Sequence, residues 1–194
     1  MKEKTYESVL EEIRKVLERD WHEGFKRWLS CILDLEKTID DIIPYDARWK
    51  LPDTLLYETG VKSGRRVCGW LFERFGLEDK SIKERTLYTD AFFSLSGVGE
   101  IEFFKRDGER VLRFKGGTYF AKEHGHVGRP VCHYIAGFIA GATRCFTGKE
   151  YVVEEVKCVS AGDEHCEFVV REKGEEKERG GGRKEEGREE AATQ

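Results

Sequence analysis

Three cysteines in the last third of the chain, Cys132, Cys158 and Cys166, constrain its fold most, because one metal ion would bring them together. Cys158 and Cys166 flank a turn sequence at 161–163, so their sulfurs can meet at the base of a hairpin. Zinc(II) takes four protein ligands in structural sites, whereas catalytic sites keep one position for water. An ion held by three thiolates and one further side chain would therefore be structural.

Three residues compete for the fourth ligand position. Residues three apart in a regular strand face opposite sides, so spacing alone favours Glu154 over Glu155 as the same-face neighbour of Cys158. A β-bulge or a curl at the strand end would bring Glu155 to that face. His165, directly before Cys166, is the third candidate.

Composition limits the classes of function. The 194 residues suffice for one domain with a hydrophobic core. A net charge of −4, from 34 basic and 38 acidic residues, gives no field that favours nucleic acid. No apolar run approaches the ~20 residues of a membrane span, and residues 1–20 contain no signal-peptide core, so we expect a cytoplasmic protein. Cysteines there stay reduced, and Cys31, Cys68 and Cys145 are expected to be buried core residues.

Helical spacing of apolar residues occurs in three stretches. It predicts helix over residues 5–40 and again over 53–75, where Gly76 suits the C-terminal cap. Gly60 and Gly64 lie inside the second helix, where each costs about 1 kcal/mol against alanine, which indicates close backbone packing or a bend. A third helix is predicted from Pro130 to about residue 145, because proline is tolerated in the first helical turn.

Extended segments fill the remainder of the ordered chain. A period of two with glycine turns predicts a meander of short antiparallel strands over residues 86–121, whose clearest hairpin lies at 101–115. A final hairpin is predicted from strands at 151–158 and 165–171. Together these segments predict an α+β fold in which an antiparallel sheet packs against helices.

Three regions follow from these patterns. Residues 1–50 are expected to form an N-terminal helical extension, residues 51–171 the domain, and residues 172–194 a charged tail. The tail carries no large apolar side chain, so it cannot bury enough surface to offset the entropy of ordering and is expected to be disordered.

An ordered series of residues runs through segment 131–170. It comprises Cys132 in a helix that carries Gly137 and Gly141, then Glu155, Cys158, Ala161-Gly162-Asp163 and Cys166-x-Phe168. This series resembles the C-terminal signature of the 4-vinyl-reductase domain family of small-molecule-binding domains. A less specific similarity in layout begins near Leu55.

The resemblance implies a zinc site and a ligand. In the aromatic-sensing transcription activators that carry this domain, Cys, Glu, Cys and Cys at this spacing hold zinc, which here implies Cys132, Glu155, Cys158 and Cys166. It also implies a mixed α/β fold shared with TRAPP vesicle-tethering subunits, a homodimer, and an apolar pocket for a hydrophobic ligand. The last hairpin would then be held to the preceding helix by zinc.

Aromatic residues of the meander and its facing helices are candidates for contact with such a ligand. The principal candidates are Trp70, Phe93, Phe103, Phe114, Tyr119, Tyr134 and Phe138, and Phe92, Phe104 and Phe120 are further candidates.

Three functions remain open. The first is a zinc-stabilised, non-catalytic domain that senses or carries a small hydrophobic or aromatic ligand and acts through a protein partner, since no phosphate-binding loop or DNA-binding helix is evident. The second is a TRAPP-like scaffold that uses Trp21, Trp28 and Trp49. The third, a vinyl reductase accessory protein in tetrapyrrole synthesis, has least support, because no dinucleotide fingerprint is present and a four-ligand zinc lacks an open position.

Overall fold

A computed structural model describes residues 5–17 and 51–174 of the chain. The predicted helix beyond residue 17, the tryptophans proposed as a scaffold surface, Cys31 and most of the charged tail lie outside these ranges. None of the helices within them combines the length and the apolar character that a membrane span requires. The elements, in order, are α1 Tyr6–Leu17, α2 Leu51–Phe75, α3 Ile82–Ser96, β1 Ile101–Arg106, β2 Glu109–Phe114, α4 Tyr119–His124, α5 His133–Thr147, β3 Tyr151–Lys157 and β4 Cys166–Glu172.

The four strands form one antiparallel sheet in the order β1, β2, β4, β3. The two predicted hairpins are therefore confirmed, and pairing of β2 with β4 joins them, with Leu112 opposite Phe168 and Phe114 opposite Cys166. Because side chains alternate along a strand, these four residues share one face. All four are buried in the core against the helices, so the predicted α+β fold is confirmed.

The opposite face of the sheet carries a network of ion pairs. Glu167 of β4 is fully buried there, and its carboxylate binds Arg106 at 2.7 Å and Arg113 at 2.8 Å. Burial opposes its ionisation, but hydrogen bonds from both arginines hold the pKa of Glu167 below its usual value. Long cationic side chains thus cover the acid on this face.

The predicted strands at both ends of residues 86–121 are wrong. Residues 82–96 form α3, which begins with a capping box between Ser81 and Glu84 and ends at Gly97, where φ is 78°. Residues 119–124 form α4, whose first turn is capped by the Thr118 side chain. Aromatic and β-branched residues favour strands in the sequence, but α3 is buried around much of its circumference and so shows no single apolar stripe.

Helices α2 and α5 run parallel and touch through their backbones. A Cβ at Gly137 would overlap the carbonyl of Tyr57, and one at Gly141 would overlap that of Val61, so the contact advances in the same direction along both helices. Gly60 and Gly64 are packed against α5 in the same way. The close packing predicted from the glycines in α2 is therefore present.

A disulfide between Cys68 and Cys145 extends this contact. Both residues follow the glycines at the same four-residue spacing, 60, 64 and 68 in α2 and 137, 141 and 145 in α5. The expectation that both would be reduced core residues is wrong, because glycine packing brings their Cα atoms to 6.3 Å, within the range that a disulfide spans.

Candidate metal centre

The three cysteines identified in the sequence meet at one buried point. Cys132 is the N-cap of α5, Cys158 follows β3, and Cys166 begins β4. Their Sγ atoms lie 4.0 Å (132 to 158), 3.9 Å (132 to 166) and 4.0 Å (158 to 166) apart. One carboxylate oxygen of Glu155 completes the group, and the four atoms lie within 4.8 Å of one another.

A β-bulge brings Glu155 to the cysteines. The register shifts between Glu155, which pairs with Phe168, and Lys157, which pairs with Glu167. The shift is the irregularity on which this candidate depends. The Glu155 Oε2 accepts a hydrogen bond of 2.9 Å from the backbone nitrogen of Cys132.

The other two candidates for the fourth position lie outside the group. The Glu154 carboxylate binds Arg171 at 2.7 Å on the opposite face of the sheet. The Nδ1 of His165 accepts a hydrogen bond of 3.1 Å from the backbone nitrogen of Gly116. Both acceptors are thus engaged elsewhere.

The turn between the two hairpin cysteines is fixed by its backbone. The Asp163 carboxylate accepts from the Cys158 nitrogen at 2.9 Å, and a 3₁₀ turn at Val159–Ala161 precedes Gly162, where φ is 108°. Glycine suits this position because side chains rarely adopt such a φ. The Val159 nitrogen lies 3.5 Å from the Cys166 sulfur, so its N–H stabilises negative charge on that atom.

The four groups cannot all ionise without a cation. Burial raises the pKa of Cys132 well above that of an ordinary thiol. Burial also raises the pKa of Glu155 to about 9, and repulsion by Cys158 adds to the effect. By contrast, hydrogen bonds from Cys132 and Cys158 lower the pKa of Cys166 to about 4. Protons therefore crowd a site that a dication would neutralise.

The donor set fits zinc. Zn–S bonds of about 2.3 Å in a tetrahedron place sulfurs about 3.8 Å apart, close to the observed separations of 3.9 to 4.0 Å. The Glu155 Oε1 is buried and finds no hydrogen-bond partner among the residues that the structure describes. Three sulfurs and one carboxylate oxygen favour zinc over calcium or magnesium, which prefer oxygen ligands.

A pocket of about 280 Å³ lies between α3, α5 and the helix-facing side of the sheet. Of the aromatic residues predicted to contact ligand, Phe93 and Phe103 line it. Trp70, Phe114, Tyr119, Tyr134 and Phe138 do not line this pocket and pack in or against the core. Its lining comprises Ile82, Thr86, Thr89, Phe93, Phe103, Arg110, Leu112, Ile139, Ala142, Thr143, Phe146, Thr147, Tyr151 and Val170.

The polar part of this lining was not predicted. A period of two assigns Thr86 and Thr89 to a strand, which conceals their position on one side of a helix facing α5. The signal available in the sequence is the Ser81 to Glu84 capping box, which marks the start of α3. Arg110 lies two residues from Leu112 in β2 and shares its face, a relation that strand alternation predicts.

Comparison with known proteins identifies relatives in sequence and in fold. The model of the 4-vinyl-reductase (vinyl-4-reductase) domain matches residues 118–172, which include all four residues of the candidate centre. The uncharacterized protein MJ0745 of Methanocaldococcus jannaschii is 30% identical over 138 residues, which cover 71% of this chain and 67% of that protein.

Two solved structures have similar folds. The phenol-responsive sensory domain of the transcription activator PoxR, crystallised with phenol, superposes with a TM-score of 0.58 at 20% identity over 73% of each chain. A vinyl-4-reductase family protein from M. jannaschii superposes with a TM-score of 0.53 at 21% identity, over 89% of this chain and 97% of that one. At these identities the similarity is one of fold.

Proposed function

The chain belongs to the 4-vinyl-reductase domain family, and on this basis we propose that it is a zinc-stabilised, non-catalytic domain that senses or carries a small hydrophobic ligand. The observation that carries the metal part is the convergence of four donor atoms within 4.8 Å, one residue of which keeps an unpartnered buried oxygen among the described residues. The apolar pocket supports the ligand part. The fold shared with a phenol-responsive sensory domain adds support for a sensory role.

The proposed role of the ion is structural. When bound, zinc would supply a cross-link between the start of α5, the end of β3 and the start of β4, through Cys132, Glu155, Cys158 and Cys166. Four protein ligands fill a tetrahedral shell, so no position remains for the water or substrate that zinc catalysis uses. This reasoning supports a non-catalytic function.

The same elements connect the metal centre to the pocket. Helix α5 begins next to Cys132 and lines the pocket through residues from Ile139 to Thr147. Strand β4 begins at Cys166 and lines the pocket through Val170. Loss of the ion would therefore loosen two walls of the pocket at their starting points, so ligand binding is expected to depend on metal.

Metal content tests the first part of the proposal. The full chain, purified under reducing conditions without chelator, is expected to contain one zinc per chain by elemental analysis. Cys158→Ser should lose both zinc and thermal stability. Ser160→Ala, a nearby change that removes a hydroxyl bound to the Ala121 carbonyl at 2.9 Å, is the control and should keep zinc.

The pocket needs a separate variant. Ala142→Phe adds a ring to a buried position of the lining and should abolish ligand binding while zinc remains bound. Native mass spectrometry of the same samples would report retained organic mass and the expected homodimer. A folded dimer with neither zinc nor ligand would overturn the proposal and favour the scaffold function.

A further inference from the structure

The pocket lining contains few polar groups, and its threonines already use their donors. The four threonine hydroxyls all donate to backbone carbonyls of their own helices. The distances are 2.9 Å from Thr86 to Ile82, 3.4 Å from Thr89 to Arg85, 2.7 Å from Thr143 to Ile139 and 2.8 Å from Thr147 to Thr143. Arg110 is the one charged residue among the described residues that line the pocket.

Arg110 lies where the pocket opens to solvent. Ile82 and Phe103 line the pocket but are 59% and 52% exposed, which is unusual for large apolar side chains. Arg110 is also exposed. These three residues define the pocket mouth, between the start of α3 and the hairpin of β1 and β2.

A second cation faces Arg110 across the hairpin. Lys105 is its direct partner in the β1 to β2 register, and both residues are exposed. Strand alternation places them on the same, pocket-facing side as Phe103 and Leu112. Like charges directly opposite each other in antiparallel strands are destabilising, so this pair raises the local positive potential beside the mouth.

The cations of the opposite face differ from this pair in their surroundings. Arg106, Arg113 and Arg171 all meet carboxylates there, and they belong to a network internal to the sheet. On the pocket-facing side, Glu172 of β4 binds Lys149 at 2.8 Å, at the far edge of the sheet from Lys105. The two adjacent cations at the mouth would suit an anion supplied from outside the chain.

We propose that the pocket binds an amphipathic organic anion, whose apolar body fills the space between α3, α5 and the sheet and whose carboxylate lies at the mouth between Arg110 and Lys105. This inference rests on the proposed ligand-binding function. A guanidinium offers five N–H donors in a planar fork that matches a carboxylate, and an ammonium adds a point charge. The volume of about 280 Å³ lies just below the common range of ~300–1,000 Å³, which favours a short acyl or aryl carboxylate.

Matched pairs of probes separate the charge from the apolar body. Octanoate and octanol share a chain, and benzoate and benzyl alcohol share a ring, so titration calorimetry of the full zinc-loaded protein can compare each acid with its alcohol. The acid of at least one pair is expected to bind about tenfold more tightly than its alcohol, and added salt should reduce this difference.

Two variants assign the charge effect to the mouth. Arg110→Gln and Lys105→Gln should each remove most of the preference for the acid and leave binding of the alcohol unchanged. Arg66→Gln, an equal change of charge at an exposed position of α2, should leave the preference intact.

The outcomes distinguish this inference from the proposed function. Equal binding of acid and alcohol, abolished by Ala142→Phe, would overturn the anion inference and leave the ligand-binding function standing. A preference for the acid that survives Arg110→Gln and Lys105→Gln would also overturn it. Absence of binding by all four probes would contradict both proposals for this pocket.

Discussion

The backbone nitrogen of Cys132 donates a hydrogen bond of 2.9 Å to the Glu155 carboxylate, which ties the N-terminus of α5 to the bulge in β3. A carboxylate is favourable at this end of a helix, because unpaired N–H groups and the helix dipole give it partial positive charge. Two features that a sequence shows separately, a helix start and an irregular strand, thus form one site. The position of Glu155 is fixed by protein contacts alone.

Replacing Glu155 tests the identity of the fourth ligand. Glu155→Gln keeps an oxygen that can accept from Cys132 but loses the charge, and we expect zinc affinity to fall by about 100-fold or more, if four ligands share the ~10–16 kcal/mol of a structural zinc site. Glu154→Gln, one residue away, loses only an ion pair with Arg171 and should bind zinc like the unmodified protein. Competition with a zinc chelator measures both. Equal loss in the two variants, or loss only in Glu154→Gln, would disprove the assignment.

The glycine contact between α2 and α5 makes a sharp prediction for stability. Gly64→Ala would push a methyl group into the backbone of α5 at Phe138, and we expect a loss of about 3 kcal/mol. Gly69→Ala in the same helix meets nothing within 4 Å and should instead stabilise the protein by about 0.5 kcal/mol. Denaturant unfolding of both variants provides the comparison. A similar effect of the two substitutions would show that the helices are farther apart.

The disulfide between Cys68 and Cys145 predicts a stability that depends on redox conditions. It closes a loop between residues 77 apart in sequence, for which the chain-entropy estimate is about 4 kcal/mol as an upper value. A non-thiol reductant should lower the melting temperature and expose two additional titratable thiols in denaturant. The double variant Cys68→Ser with Cys145→Ser should melt at the lower temperature in both conditions. No difference in thiol count on reduction would exclude the bond.

Asp90 predicts a dependence of stability on pH. Burial raises its pKa to about 6, with repulsion by Glu100 adding and attraction by Lys115 opposing. The folded state therefore holds this proton more tightly than the unfolded chain, so ionisation costs stability as pH rises from about 4 through 6. Asp90→Asn should gain on the unmodified protein over that interval, by about 1 kcal/mol after allowance for solvent screening of a partly exposed group.

Melting temperatures of this pair from pH 4 to pH 8 check the sign. The metal centre responds to pH equally in both proteins, so only their difference is compared. Asp79→Asn, at an exposed position before α3, is the matched control. A difference that shrinks as pH rises would contradict the assignment.

Elements with local signals could be predicted from the sequence. Asp107 and Gly108 turn with φ values of 51° and 79°, and this dipeptide by itself predicts the first hairpin. The spacing of Cys158 and Cys166 predicts the second hairpin for a similar reason. Helix α3 was not predicted because its aromatic residues are buried on more than one side, so neither a helical stripe nor a period of two describes them well.

Features that depend on contacts between distant segments could not be predicted from spacing. A regular strand places Glu154 beside Cys158, and only the shift in pairing with β4 reverses that choice. The bond between Cys68 and Cys145 depends on how closely two helices approach, which no window of sequence around either cysteine reports. The family resemblance supplied Glu155, because a family pattern records the outcome of such contacts.

The glycine contact also determines how the specificity of this domain can evolve. Helix α5 forms one wall of the pocket, and its opposite side rests on the backbone of α2 with no side chain between them. That wall cannot retreat to admit a larger ligand, and neither helix tolerates bulk at the contact. New ligand preferences would therefore arise by trimming side chains on α5 or by changing α3 and the first hairpin, the walls that have freedom to diverge.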